Sequence, residues 1–374
     1  MHVAVLGAGY AGVGAVRELE AVLSESTDLT LVDERETHLV QHLIHRAVRE
    51  PSLVERLTVP ISDLIDRADH RQARVTEVDP DAGEAELDDG SLSYDVGVVC
   101  LGARTAFYGL PGVEEHATPL KRLEHAARIR EKFEQVSDEG RVVICGAGLS
   151  GVQIAGELAA LGRERGASPS VLLLEQEEAV APNFPAQFRR AVADELEQQG
   201  VQVRTGTTVT RAGDAAVELD GGDRIEFDQL LWTGGIAGGN AMVGERPAVR
   251  ADLRLGERTF AAGDTVRVID SDGGAVPASA QTAVRQAEVA ATNAARLAEY
   301  YRDESSFEPR LARYRYNGLG WVVSVGDGTV ASVGGSVLRG SAARAVKTTV
   351  AAGYLGQLGA VESAAEYVRE QFTH

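Results

Sequence analysis

Cysteine is nearly absent from this chain: among 374 residues only Cys100 and Cys145 carry thiols, and no CxxC pair occurs. That excludes a disulfide scaffold and a redox dithiol built from neighbouring cysteines. Both thiols close apolar, strand-like runs, VGVVC and RVVIC, where buried and inert sulfur is expected. Lysine is nearly as scarce, with Lys121, Lys132 and Lys347 alone, while 56 acidic residues oppose 37 basic ones for a net charge of -19. Such a surface repels phosphate backbones, so nucleic acid is not an expected partner. Acid excess with little lysine fits a halophilic protein, because high salt screens carboxylate repulsion. No apolar run approaches the roughly 18 uncharged residues of a membrane span. A core-like strand follows Met1 at once and leaves no room for a secretory signal, so a cytoplasmic location is expected. No metal-ligand spacing stands out.

Glycine, by contrast, is abundant at 41 residues. HVAVLGAGYAGVGAVRELE reads as strand, glycine turn and helix, with Gly7, Gly9 and Gly12 in a GxGxxG pattern. The next strand ends in Asp33, followed by Glu34. A second copy, RVVICGAGLSGVQIAGELAALG, places Gly146, Gly148 and Gly151 in the same pattern, and its next strand ends in Glu175. Each piece has a physical role. The first glycine makes a tight turn, the second admits a pyrophosphate to the backbone, and the third lets helix and strand pack closely. The helix N-terminus faces the phosphates, and the acid accepts hydrogen bonds from ribose hydroxyls. A carboxylate at Glu175, with neutral Gln176 after it, favours a free 2'-hydroxyl and therefore NADH over NADPH.

The repeat predicts an α/β fold with two Rossmann-like dinucleotide-binding domains. Turns at Asp79-Pro80, Asp89-Gly90 and Pro111-Gly112 punctuate the first half. Residues 1–115 and 252–305 form one discontinuous domain, with 116–251 inserted. Residues 306–374 form a small C-terminal α+β domain. A long alanine-rich helix is expected over 279–300 and another near 341–350.

YDVGVVCLGARTAFYGLPGV, LLWTGG and TFAAGD resemble segments of the flavoprotein disulfide reductase superfamily, in which an FAD domain is interrupted by an NAD domain. Within it the chain is most similar to type II, non-proton-pumping NADH:quinone oxidoreductases. LVDERETHLVQHLIHRAV, GVQIAGELA and the AQxAxQ-like AQTAVRQ (Ala280, Gln281, Ala283, Gln286) carry that resemblance, over residues 1 to about 354. It implies an FAD site at Gly7, Gly9, Tyr10, Ala11, Gly12, Asp33, Glu34, Val78, Gly102, Ala103, Gly263, Asp264 and Ala283. It implies an NADH site at Gly146, Gly148, Ser150, Gly151, Glu175, Gly234 and Gly235. Hydride would pass from NADH to the flavin, and two electrons on to a quinone on the flavin's other side. Gln281 and then Gln286 are the expected quinone-side residues, and Glu157 is placed near the nicotinamide.

Two departures from the family pattern stand out. Gln153 replaces the usual glutamate two positions after the last glycine, which puts NADH as donor in question. The apolar C-terminal stretch (Val350, Tyr354, Leu355, Leu358) carries Glu362 and Glu366. It reads equally as a peripheral contact with the inner face of the cell membrane or as a homodimer helix. Sulfide:quinone oxidoreductase, a ferredoxin reductase or another soluble NAD(P)H reductase, and a non-catalytic flavin or NAD sensor are the alternatives.

Overall fold

The computed structural model describes residues 1–167, 169–303 and 307–357. The chain forms two compact units, the first from 1–39, 58–104 and 237–317, the second from 40–57, 105–236 and the described residues from 318 onward.

The first unit is organised by a five-stranded parallel sheet ordered Thr259–Ala261, Val96–Val99, His2–Leu6, Asp28–Asp33, Asp69–Gln72. Its central strands are continuous apolar runs (VAVL, VGVV) with every side chain buried, as in a parallel sheet covered on both faces. The first glycine helix, Tyr10–Val22, packs against the alanine-rich helix Ala280–Arg302. A Cβ on Gly14 would lie 3.0 Å from the Ala287 methyl, so small residues on both helices set the close approach. Ser279 and Thr282 cap the long helix reciprocally and fix its first residue at Ala280.

The second unit repeats the plan, with parallel order Thr118–Pro119, Gln229–Trp232, Arg141–Cys145, Ser170–Leu174, Gln202–Arg204. In each sheet the strand preceding the glycine turn is central, with the acid-terminated strand on one side. The order reverses at that strand, which is the switch point where ligands bind in open α/β sheets.

The units cut the chain differently from the sequence-based boundaries. Val40–Leu57, expected inside the first domain, groups with the second unit. So does the antiparallel meander of strands Gly320–Val325, Gly328–Val333 and Ser336–Arg339, with the helix Gly340–Gln357 after it. The reason is local: the turn at Val325–Gly326 rests on the second glycine helix, Leu149–Glu164, where Gly156 has no side chain. A Cβ there would fall 2.2 Å from the Gly326 nitrogen. Among the described residues no helix is long and apolar enough to cross a membrane. On the last described helix Val350 is exposed, and Tyr354 stands edge-on to His42 with ring centroids 6.2 Å apart. Leu358, Glu362 and Glu366 lie outside the described residues.

Candidate functional site

The first glycine turn is held from several directions. Gly7 adopts φ +102°, and a Cβ there would meet the Cys100 carbonyl oxygen at 2.5 Å. A Cβ on Gly12 would strike the Gly7 carbonyl oxygen at 1.6 Å, so this helix can approach its turn only with glycine. Gly9 differs, because a Cβ there meets nothing within 4 Å. The space above Gly9 is therefore open for a ligand, as a pyrophosphate requires. No side chain caps the helix that begins at Tyr10, so its first-turn N–H groups face the same space.

Asp33 Oδ2 accepts from the Ala8 N–H at 2.6 Å and Oδ1 from the Arg35 N–H at 2.9 Å. The acid thus braces the turn itself, with remaining lone pairs for a ribose hydroxyl. His38, buried and edge-on to Tyr10, donates from Nδ1 to the Ala8 carbonyl at 2.9 Å. Burial holds its pKa below the ordinary value, which keeps the ring neutral.

The second turn repeats this construction. Gly146 sits at φ +101°, a Cβ on Gly151 would fall 1.9 Å from the Gly146 carbonyl oxygen, and Gly148 again opens on empty space. Glu175 Oε2 accepts from Ala147 N–H at 2.6 Å and Oε1 from Glu177 N–H at 3.0 Å. The place of His38 is taken by backbone, since Ala181 N–H donates to the Ala147 carbonyl at 2.8 Å. Thr233 Oγ1 donates to the Gly146 carbonyl at 2.8 Å, and Gly234 abuts Gly146. Ser150 is exposed on the first turn of this helix.

Several predicted residues of the first unit converge beside its turn. Gly263, at φ +74°, lies against Ala11 and Ala283, where an added Cβ would meet their methyls at 3.1 and 3.5 Å. Gln286 is 3% exposed, and its Oε1 accepts from the Gly263 N–H at 2.8 Å. It is therefore a brace for the Gly263–Asp264 loop. Arg246 donates to the carbonyls of Asp264 and Val266, at 2.6 and 2.9 Å, and Gly102 N–H donates to Thr265 Oγ1 at 2.8 Å. Ala103, next in the chain, and Gln281, on the first turn of the alanine-rich helix, are half-buried. Val78 lies on the antiparallel strand Val75–Asp79, and Glu34 pairs with Arg74 at 3.0 Å.

Glu157 and Gln153 lie on the second glycine helix. Gln153 is half-buried, while Glu157 is 2% exposed and neither a solvated acid nor isolated. Arg49 Nη1 lies 3.7 Å from its carboxylate. Burial pushes its pKa up to about 7, against the pull of Lys347, Arg46 and Arg49 and with a further push from Glu50. Lys347 is brought down to about 8, chiefly by burial and then by Arg46. Its Nζ donates to Ser324 Oγ at 2.9 Å, and His45 Nε2 stands 3.1 Å from the same hydroxyl. Sequence patterning did not reveal this buried charged cluster, whose members come from three distant segments. Both cysteines are buried, and burial pushes each thiol up to about 12. Among the described residues no group of three His, Cys, Asp or Glu could hold a metal ion.

The open space over Gly9 and Gly148, the braced acids and the uncapped helix starts fit two dinucleotides, one per unit. Comparisons with known proteins agree. The chain is 27% identical to a type II NADH:quinone oxidoreductase of Staphylococcus aureus over 384 aligned positions, 93% of each protein. Its fold matches NDH2 from Plasmodium falciparum, solved with NADH, at a TM-score of 0.83 and 15% identity, covering 99% and 97% of the two chains. It also matches sulfide:quinone oxidoreductase from Aquifex aeolicus at a TM-score of 0.80 and 16% identity, covering 97% and 92%. The model of the pyridine nucleotide-disulphide oxidoreductase family matches residues 1–287, the span that holds both cradles, and the chain belongs to that family.

Proposed function

We propose that this protein is an FAD-dependent NADH:quinone oxidoreductase. The observation that carries the reading is the pair of equivalent cradles in a chain that aligns along nearly its whole length with type II enzymes. When bound in the first cradle, FAD supplies the chemistry that accepts a hydride from NADH and returns two electrons to quinone.

The chain's own residues bind and orient. In the first cradle, Gly9 and the N–H groups at the start of Tyr10–Val22 receive the FAD diphosphate, with Asp33 beside the ribose. The Gly263–Asp264 loop, braced by Gln286 and Arg246, borders the same space. In the second cradle, Gly148 and the helix behind it receive the NADH diphosphate. Glu175 meets the adenosine ribose and repels a 2'-phosphate. Gln281 is assigned to the quinone headgroup as a hydrogen-bonding amide. The resemblance implies a carboxylate where Gln153 leaves an uncharged amide, and we assign to that exchange a slower NADH oxidation with the binding site retained. Peripheral attachment to the cytoplasmic face of the membrane is part of the proposal, supported by the exposed Val350 on the last described helix.

The sulfide alternative is disfavoured, because neither thiol is accessible or acidic enough to take up sulfur. Anaerobic titration tests the assignment. NADH should bleach the visible band of bound flavin, and added quinone should restore it. Bleaching by sulfide but not by NADH would overturn it.

A further inference from the structure

One residue beside the second cradle is held in a backbone conformation that its side chain disfavours. Tyr108 adopts φ +55° and Gly109 φ +66°, and Leu110 N–H donates to the Phe107 carbonyl at 3.0 Å. Two consecutive left-handed residues closed by that bond make a turn of the type that favours asparagine or glycine at its first central position. Tyrosine is strained there. Burial does not compensate, since the residue is 67% exposed.

The surrounding bonds show where the ring is held. Ala106 N–H donates to the Gly235 carbonyl at 3.0 Å, and Trp232 Nε1 donates to the Ala106 carbonyl at 2.7 Å. These tie the turn to the carboxyl end of strand Gln229–Trp232. The Tyr108 hydroxyl donates to the Gly234 carbonyl at 3.0 Å. A Cβ on Gly235 would fall 2.2 Å from that hydroxyl, so the phenol crosses a stretch of backbone kept free of side chains. Gly234 in turn abuts Gly146, the first glycine of the cradle.

Sheet order says which part of a ligand reaches this edge. Strand Arg141–Cys145 is central, with Ser170–Leu174 and the Glu175 that follows it on one side and Gln229–Trp232 on the other. A dinucleotide whose adenosine ribose meets Glu175 and whose diphosphate sits over Gly148 must carry its other half toward Gly234. We infer that Tyr108 is a binding residue for the nicotinamide ring of NADH, its own ring fixed by Gly234 as an aromatic wall. Backbone strain at an exposed residue persists where the surrounding structure enforces it, and such sites cluster at ligand clamps.

The inference rests on NADH binding in the second cradle, and the test separates the two claims. Tyr108→Asn suits the left-handed turn but lacks the ring, while Tyr108→Phe keeps the ring and loses the hydroxyl. Dissociation constants of NAD+ and of ADP-ribose, which lacks nicotinamide, are measured on the flavin-loaded protein. Tyr108→Asn should weaken NAD+ about tenfold and ADP-ribose by less than about twofold, with a melting temperature at or above that of the unaltered protein. Tyr108→Phe should fall between, at about two- to threefold for NAD+. Equal weakening of both ligands, or of neither, would overturn the role given to Tyr108. Failure of the unaltered protein to bind ADP-ribose would overturn the NADH assignment instead, and the inference with it.

Discussion

Gly148→Ala separates binding from folding in the second cradle. Gly148 has φ −65° and ψ 178°, a conformation alanine adopts freely, and the added methyl meets no atom within 4 Å. Loss of chain entropy in the unfolded state favours the variant by about 0.4–1 kcal/mol. Alanine's poorer performance at a helix N-cap offsets about the same amount. Net stability should stay within about 1 kcal/mol, and the melting temperature within about 3 °C. The same methyl stands where the diphosphate must come within about 2.9 Å of backbone N–H groups. Losing one such charge-assisted bond, at about 1.5–3 kcal/mol, weakens NAD+ about 10- to 100-fold.

Gly151→Ala is the contrast, since its methyl would lie 1.9 Å from the Gly146 carbonyl oxygen and 2.8 Å from Thr233 Oγ1. The helix must retreat, so stability should fall by about 1–3 kcal/mol along with binding. Calorimetric titration with NAD+ and thermal melts, with FAD content as the control from the other cradle, decide the matter. If Gly148→Ala binds NAD+ within about threefold of the unaltered protein, the diphosphate does not cross this glycine and the reasoning fails.

Other expectations follow from the same geometry. Glu175→Gln keeps an oxygen for the Ala147 N–H but removes the charge, so kcat/KM for NADPH relative to NADH should rise about tenfold or more; an unchanged ratio would remove Glu175 from cofactor choice. Gln286→Leu deprives the Gly263 N–H of its acceptor, so FAD should be lost on gel filtration, whereas a change confined to the quinone KM would assign Gln286 to the quinone side. The double variant Cys100→Ala, Cys145→Ala should keep NADH:quinone turnover within about threefold, because both thiols are buried and protonated. For Glu157, the raised folded pKa means that the native state holds a proton the unfolded chain has released. Stability therefore falls as pH rises from about 4.5 through 7. Lys347, lowered to about 8, gives the opposite trend, a gain from about pH 8 upward. Glu157→Gln should flatten this fall between pH 5 and 7 in denaturant melts, and an unaltered slope would contradict the burial cost assigned to it.

Much of both cradles was legible in the sequence because each is nearly closed within a short stretch of chain. Gly7 to Asp33 and Gly146 to Glu175 contain the turn, the helix start and the acid, joined by bonds such as Ala8 to Asp33 and Ala147 to Glu175. Strand and helix periodicity then placed both sheets. The alanine-rich helix expected over 279–300 runs from Ala280 to Arg302, with Ser279 as its cap.

Tertiary structure alone decided what depends on a partner far along the chain. Gln281 and Gln286 lie five residues apart in one motif, yet Gln286 turns inward because the Gly263 N–H needs an acceptor. Glu157, expected near the nicotinamide, is buried with the charges of Arg46 and Arg49 from 40–57 and of Lys347 from the last described helix acting on it. His38 was one histidine of a polar run, and its bond to the Ala8 carbonyl spans thirty residues. The left-handed turn at Tyr108 violates local preference, so local reasoning could not anticipate it. Sequence by itself determined the two cradles, since short-range sterics and hydrogen bonding dictate a glycine turn. The structure decided which polar side chains brace them and which face the ligand, because burial and pairing are set by what packs opposite.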